Sequence, residues 1–170
     1  MINPLAFRKG DILIDFGKAY IVCEIKNQIT QDGKTEPFVV YKPRSDDWLD
    51  RSLICSIPVS SLAESNIRRP LSKNQLTSLL KLIDEKPIND YQKINTRDIK
   101  VDEILQSNNP AEIIKLLIKL WIPKKDLTLK SAKNKKRTCV RAIEMLSQEI
   151  ATVYNITEEK AEQLLLAKLD

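Results

Sequence analysis

The sequence predicts an α+β chain: a small amino-terminal SH3- or Tudor-like β-barrel, then an all-α carboxyl-terminal domain of about five helices. Three observations predict it. All three glycines (Gly10, Gly17, Gly33) and five of the eight prolines lie at or before Pro70. Most of the β-branched and aromatic clusters lie there too. Beyond Pro70 there is no glycine, and apolar residues recur at helical spacing. The 170 residues suffice for two small domains, placed at 1–69 and 70–170.

Short strands come first. Asp11–Ile14 is an apolar run ended by a turn at Gly17, and Ala19–Lys26 is a second run. Gln31-Asp32-Gly33-Lys34 supplies a hairpin turn, because Asp-Gly readily takes positive φ. Pro37–Lys42 is the returning strand and Leu53–Val59 another. Four or five short strands are too few for a sandwich but fit a small, strongly bent barrel. Pro58 cannot donate to a ladder, so it marks an edge or an exit.

Helices follow. Ser72-x-x-Gln75 is a capping box, with Leu76, Leu79, Leu80 and Ile83 on one face behind it. Pro87 ends that helix. Val101, Ile104 and Leu105 mark a second. Asn109-Pro110 is an N-cap with proline at the first helical position, opening Ala111–Trp121. Pro123 closes it. A long helix starts near Ser131 and carries Val140, Ile143, Met145, Leu146 and Ile150 on its apolar side. Thr157 caps a last helix with Glu158 and Glu159 in its first turn. Ala161, Leu164, Leu165, Ala167 and Leu169 form its apolar side.

Composition excludes several function classes. Hydrophobic residues make up 42% and charged residues 30%, so a core is affordable and disorder is not expected. The chain has no histidine, which removes histidine catalysis, histidine metal ligands and a histidine pH switch. Three widely spaced cysteines (Cys23, Cys55, Cys139) without C-x-x-C argue against a zinc ribbon or a disulfide framework. No signal-peptide pattern or membrane-length apolar run is present, so a cytoplasmic protein is expected.

The net charge is +5, too little by itself to imply nucleic acid. Its distribution is more informative. Residues 124–141 hold Lys124, Lys125, Lys130, Lys133, Lys135, Lys136, Arg137 and Arg141 against one acid, Asp126. The rest of the chain is net negative. Cations at the start of a long helix oppose its dipole. A polyanion-binding surface and a solvated helix face preceded by a loop both accommodate them.

Arg8-Lys9-Gly10-Asp11-Ile12-Leu13-Ile14, then Gly17 and a hairpin, resembles the F-x-x-G-D-x-V-V-x-x-x-x-G opening of the CarD family. That family shares its RNA-polymerase-interacting domain with the transcription-repair coupling factor. Ile57-Pro58-Val59 resembles its V-P-V, and Ile67-Arg68 its G-L/V-R junction. Glu103-Ile104-Leu105-Gln106-Ser107 resembles E-K-L-x-S-G. Ala111 to Leu117 resembles A-E-V-V-R-x-L. Ala142 to Leu146, then Glu149-Ile150-Ala151, resembles A-x-x-I/L-L-x-x-E-L/I-A. The series runs in order over nearly the whole chain.

The resemblance implies a non-enzymatic bacterial transcription regulator. Its barrel would add a strand edge to the RNA polymerase β subunit. Its helical domain would contact promoter double-stranded DNA and modulate open-complex stability. Lys136-Arg137 matches the family's Lys-Arg on the DNA-facing helix; Lys133, Lys135 and Arg141 join it by charge alone. Arg97 keeps one member of a basic pair. The family's minor-groove wedge is a tryptophan, and the corresponding stretch here has none. Ile94 and Tyr91 are the two candidates, each with a core or loop role as its other reading. The family's basic polymerase contacts on the barrel align with Gln28 and Ser56.

Trp48, between acids, is an interaction anchor or a cover for the barrel. Trp121, Cys23, Cys55 and Cys139 read as core, Cys139 with a reactive thiol as its second reading. Asp46, Asp47 and Asp50 would need another acidic group to hold a metal. No catalytic residue, metal, cofactor, small-molecule substrate or membrane partner is expected. The alternative function is a protein-only adaptor that binds RNA polymerase or another partner through the barrel edge without DNA.

Overall fold

The first strand is set up by the turn before it. In a computed structural model, which describes residues 7–30, 32–44, 52–85, 100–121 and 132–169 (side chains from Lys136 onward in the last range), Arg8 to Asp11 form a β-turn. The Asp11 N–H donates to the Arg8 carbonyl at 3.0 Å, and Gly10 takes φ +88°. A turn with positive φ at its third position requires glycine there. The Asp11 carboxylate accepts the Arg8 N–H at 2.9 Å and the Arg69 guanidinium at 2.8 Å. One carboxylate therefore ties the turn to the segment that leaves the sheet.

The chain is α+β and divides into two compact units, Met1–Pro70 and Leu71–Asp170. The first holds an antiparallel meander of β1 (Ile12–Asp15), β2 (Lys18–Ile29), β3 (Thr35–Pro43) and β4 (Cys55–Pro58), paired in that order. A short 3-10 turn, Val59–Ser61, follows β4. The sheet is not closed: among the described residues β1 and β4 are its two edges and do not pair. A single antiparallel bridge, Ile14 with Arg68, lies on the outer side of β1, with N–O distances of 2.8 and 3.1 Å.

The β1–β2 loop is Phe16-Gly17, with φ +45° and +76°. Two positive φ values are the requirement of a type I′ hairpin turn, which favours Asn or Gly at the first position. Phe16 is therefore strained, and it is also exposed. The expected strand Ala19–Lys26 is longer in the structure, because β2 continues to Ile29 and pairs with β3 as far as Thr35. A bulge at Cys23 separates the part of β2 that covers the core from the part that runs past it. The expected strand Leu53–Val59 is shorter, Cys55–Pro58.

Strand alternation sends Leu13, Tyr20, Val22, Val39 and Tyr41 to one face, where they pack with Phe7, Leu62 and Ile67. Cys55, Ile57 and Val59 flank this core. The Tyr20 and Tyr41 rings meet edge to face with centroids 5.3 Å apart. The Tyr41 hydroxyl donates to Asp15 at 3.3 Å.

The second unit holds α1 (Lys73–Asp84), α2 (Val101–Gln106), α3 (Pro110–Leu120), α4 (Ala132–Tyr154) and α5 (Glu158–Leu169). Ser72 and Gln75 form the reciprocal capping box of α1. Asn109 caps α3 by accepting the Ala111 N–H at 3.0 Å, with Pro110 at the first position. Thr157 accepts the Lys160 N–H at the start of α5. Asn108, fully buried, takes φ +53° between α2 and α3, a conformation asparagine tolerates better than most residues.

Leu76, Leu80, Ile83, Leu105, Ile113, Ile114, Leu117, Leu146, Ile150 and Leu165 fill one core across all five helices. Three residues assigned to apolar sides by spacing are exposed instead: Val140, Leu164 and Ala167. Val140 lies on the exposed side of α4, while its neighbour Cys139 packs against the core. Leu164 and Ala167 flank the narrow stripe of Ala161, Leu165 and Leu169 that α5 buries. Trp121 and Cys139 pack against the core half-buried, and the Trp121 Nε1 has no hydrogen-bond partner among the described residues.

Glu149 is the unexpected core residue. It is 1% exposed, and its carboxylate accepts the Leu71 N–H at 2.6 Å. It so fixes the segment leading into α1 against α4. Glu149→Ala strands that buried donor and is expected to cost about 2 kcal/mol in urea unfolding, with Glu149→Gln losing less. Ser72→Ala should cost about 1 kcal/mol.

Two aspartates give opposite pH profiles. The Arg8 N–H, helped by Arg69 and opposed by burial, holds Asp11 below its ordinary value of 3.8. Its contribution to stability is complete above 3.8 and lost as pH falls through the lowered folded value. Burial raises Asp15 above 3.8 despite hydrogen bonds from Tyr41 and the Phe16 N–H. Stability is then lost as pH rises from 3.8 through the raised folded value. Asp11→Asn should lower the urea midpoint at neutral pH, and Asp15→Asn should raise it. Both differences should shrink as the pH drops below about 3.8.

Candidate nucleic-acid interface

The two halves of α4 differ in environment. From Ala142 onward it is held by Met145, Leu146, Glu149, Ile150 and Ala151, all buried against the other helices. Before Ala142 it carries Lys136, Arg137, Val140 and Arg141, all exposed. Arg137 and Arg141 are one turn apart, as are Lys136 and Val140, so the four side chains form two adjacent rows on one surface. Cys139 points the other way: its thiol reaches the Leu120 carbonyl of α3 at 3.5 Å. The helix contains the backbone of Lys133 and Lys135, whose side chains lie outside the described residues, as do Arg97, Ile94 and Tyr91.

Five cations elsewhere among the described residues meet carboxylates. Lys168 meets Asp84 at 2.7 Å, Lys115 meets Glu112 at 2.9 Å and Lys100 meets Glu103 at 3.0 Å. Lys26 meets Glu24 at 3.2 Å, and Arg69 meets Asp11. Among the described residues, no carboxylate lies within ion-pair distance of Lys136, Arg137 or Arg141. The first turn of α4 also has no acidic residue to offset the helix dipole. The arrangement places three exposed cations, none in an ion pair among the described residues, where an anion can approach them.

Gln28 and Ser56 lie on the sheet. Gln28 pairs with Glu36 on the part of β2 beyond the core, and is half-buried. Ser56 lies in β4, pairs with Val40 and is exposed. Because Val22 turns its N–H and carbonyl toward β1, where it exchanges hydrogen bonds with Gly10 and Asp11, alternation turns those of Tyr41 toward β4. Cys55 and Ile57 then face β3, and Ser56 faces the open edge. Pro58 occupies the next outward position, where its missing N–H interrupts no ladder.

Chemistry of the nucleophilic kind finds little support in this unit. Burial raises the Cys55 thiol, with Asp15 adding to the effect, so it is held in its unreactive form. Burial likewise raises the Tyr41 phenol. Among the described residues no group of three or more Cys, Asp or Glu stands ready to hold a metal ion. Trp48 and the Asp46, Asp47 and Asp50 cluster lie outside those residues. No described helix is long and apolar enough to cross a membrane.

Sequence reasoning reached Lys136 and Arg137 through the family resemblance and Arg141 through charge alone. It missed the exposed Val140 among them, because an apolar residue at helical spacing reads as core. It also missed the edge of β2 beyond Val22, which among the described residues pairs only with β3. No known family model matches this chain, and comparison with curated proteins finds no match.

Proposed function

We propose that this protein is a non-enzymatic bacterial transcription regulator, acting in the cytoplasm, that docks on the RNA polymerase β subunit and holds promoter DNA. The observation that carries the reading is the exposed trio Lys136, Arg137 and Arg141 on the first half of α4, which forms no ion pair among the described residues. Cations kept apart from acids lower their electrostatic energy by displacing counterions from a phosphate backbone. Such contacts position a protein on a duplex without reading its sequence. Arg97, Lys133 and Lys135 would add to this surface, and Tyr91 or Ile94 would supply the wedge.

The sheet is the docking module in this reading. A small, strongly bent SH3- or Tudor-like barrel is its finer description, and the Ile14–Arg68 bridge supports it by adding backbone to the outer side of β1. The open β4 edge offers the outward backbone of Ser56 to a strand of the β subunit, with main-chain hydrogen bonds as the source of affinity. Gln28 and Ser56, both uncharged, make that contact depend on backbone rather than on charge. The ordered likeness to the CarD family joins the two halves into one function.

Lys136→Ala and Arg137→Ala are each expected to weaken binding to promoter duplexes evenly across sequences, and to reduce the salt-dependence slope by about 1. Fluorescence anisotropy over a salt series measures both. Unchanged affinity in the double variant overturns the DNA half. Ser56→Pro removes an outward N–H while leaving the β3 ladder intact, and should abolish capture of the purified β subunit without changing DNA affinity. Capture of the β subunit by a protein indifferent to DNA would identify the protein-only adaptor instead.

A further inference from the structure

The open edge of β2 carries more than the docking reading uses. β1 covers β2 only as far as Val22, which hydrogen-bonds Gly10 and Asp11. Beyond the Cys23 bulge, Glu24 to Ile29 pair with β3 on one side and, among the described residues, with nothing on the other. At the far end the Thr30 N–H donates to the Lys34 carbonyl at 2.8 Å, turned toward β3. Alternation therefore turns Gln28, Lys26 and Glu24 toward β3 as well. The N–H and carbonyl groups of Ile25, Asn27 and Ile29 face outward. Ile25 and Ile29 are also 44% and 75% exposed. A long edge with outward backbone and exposed isoleucines is a template for another strand.

We propose that this edge pairs with the same edge of a second copy, antiparallel about a two-fold axis at Asn27. The free segment, Glu24 to Thr30, is centred on Asn27, so the two copies overlap along its full length without reaching β1. Asn27 then faces Asn27 of the second copy. Ile25 faces Ile29 of the second copy, and the exchange occurs twice. Ile25 lies beside Val39 and Ile57 on the core-facing side of the sheet. Pairing thus extends the row Ile57–Val39–Ile25 into Ile29 and Thr35 of the second copy.

Charge permits the register. Glu24 faces Thr30 and Lys26 faces Gln28, so no like charges oppose one another. Lys26 already has a carboxylate on its own strand, Glu24 at 3.2 Å. A lysine on an edge ordinarily deters pairing; here its charge is met within the copy that carries it. The symmetry is isologous and closes at two copies. The interface is small, of the transient class, so association depends on concentration.

The register dictates the test. In a hydrogen-bonded antiparallel pair the Cα atoms are about 5.5 Å apart, within disulfide range. Asn27→Cys in the otherwise unchanged full chain should cross-link to itself under mild oxidation, with the bond mapped to position 27 by mass spectrometry. Gln28→Cys, which would face Lys26, should cross-link no faster than the parent protein. Sedimentation of the parent should show a mass rising toward twice the monomer with concentration. Ile29→Lys, acting twice by symmetry, should weaken that association by about tenfold. A parent that stays monomeric at every concentration overturns the proposal, as does a dimer unaffected by Ile29→Lys. Equal cross-linking at 27 and 28 does the same.

Discussion

The anchoring of α4 governs the second unit. A helix of this length would fray at an unsupported end if nothing held it, because isolated helical turns are marginal in water. Here the half from Ala142 onward is gripped on several sides, by α3 and α5 and by α1 through the Glu149 carboxylate. The cationic half rests on α3 through Cys139 and otherwise draws its stability from the gripped half. That division frees Lys136, Arg137 and Arg141 to stay solvated and close together. It also explains why a buried acid is tolerated. Glu149 accepts a main-chain donor that the entry into α1 would otherwise leave stranded, which offsets much of the cost of placing a carboxylate in the core.

The same economy appears in the first unit at Asp11. An aspartate after a glycine looks in sequence like turn punctuation. In the structure it is a junction where the Arg8 turn, the start of β1 and Arg69 meet. Arg69 also stacks its guanidinium 4.9 Å from the Phe7 ring centroid, so the ion pair sits on an aromatic floor. With Arg68 bridged to Ile14 one residue earlier, the exit of the unit is bound to its beginning. This closes the chain around a core too small to order its own ends.

Much of this was legible in the sequence wherever local chemistry decides the structure. Ser72 with Gln75, Asn109 with Pro110, and Thr157 each announce a helix start, because capping is a local hydrogen-bond requirement. The hairpin turns at Gly17 and Gly33 announce themselves through positive φ. What failed to show was decided by distant partners. Val140 and Leu164 have apolar spacing, but only the packing of neighbours determines which part of a helix face is covered. Glu149 has the composition of a surface residue and the environment of a core one. β2 extends past Lys26 because β3 extends with it, a pairing that neither strand encodes alone. For the candidate site, charge density marked α4 correctly as the cationic element. Which of its cations lack a carboxylate was a three-dimensional fact.

The two edges of the sheet that stay open among the described residues differ in chemistry. The β4 edge is short and ends at Pro58, whose outward position holds no donor. It can accept only a brief strand, and the proline fixes where pairing must stop. The β2 edge is longer, has no proline, and carries isoleucines at alternate positions. Its limit is set instead by β1, which closes the edge at Val22. One edge is bounded by a missing hydrogen-bond donor and the other by a neighbouring strand, so length and register would limit any strand added to either. β3 lies between them and pairs with both β2 and β4. A partner strand on either edge would lengthen the same ladder, and main-chain hydrogen bonds polarise one another along a ladder. Strands added to both edges would share the backbone of Phe38, Val39, Val40 and Tyr41, the β3 residues that pair with both β2 and β4.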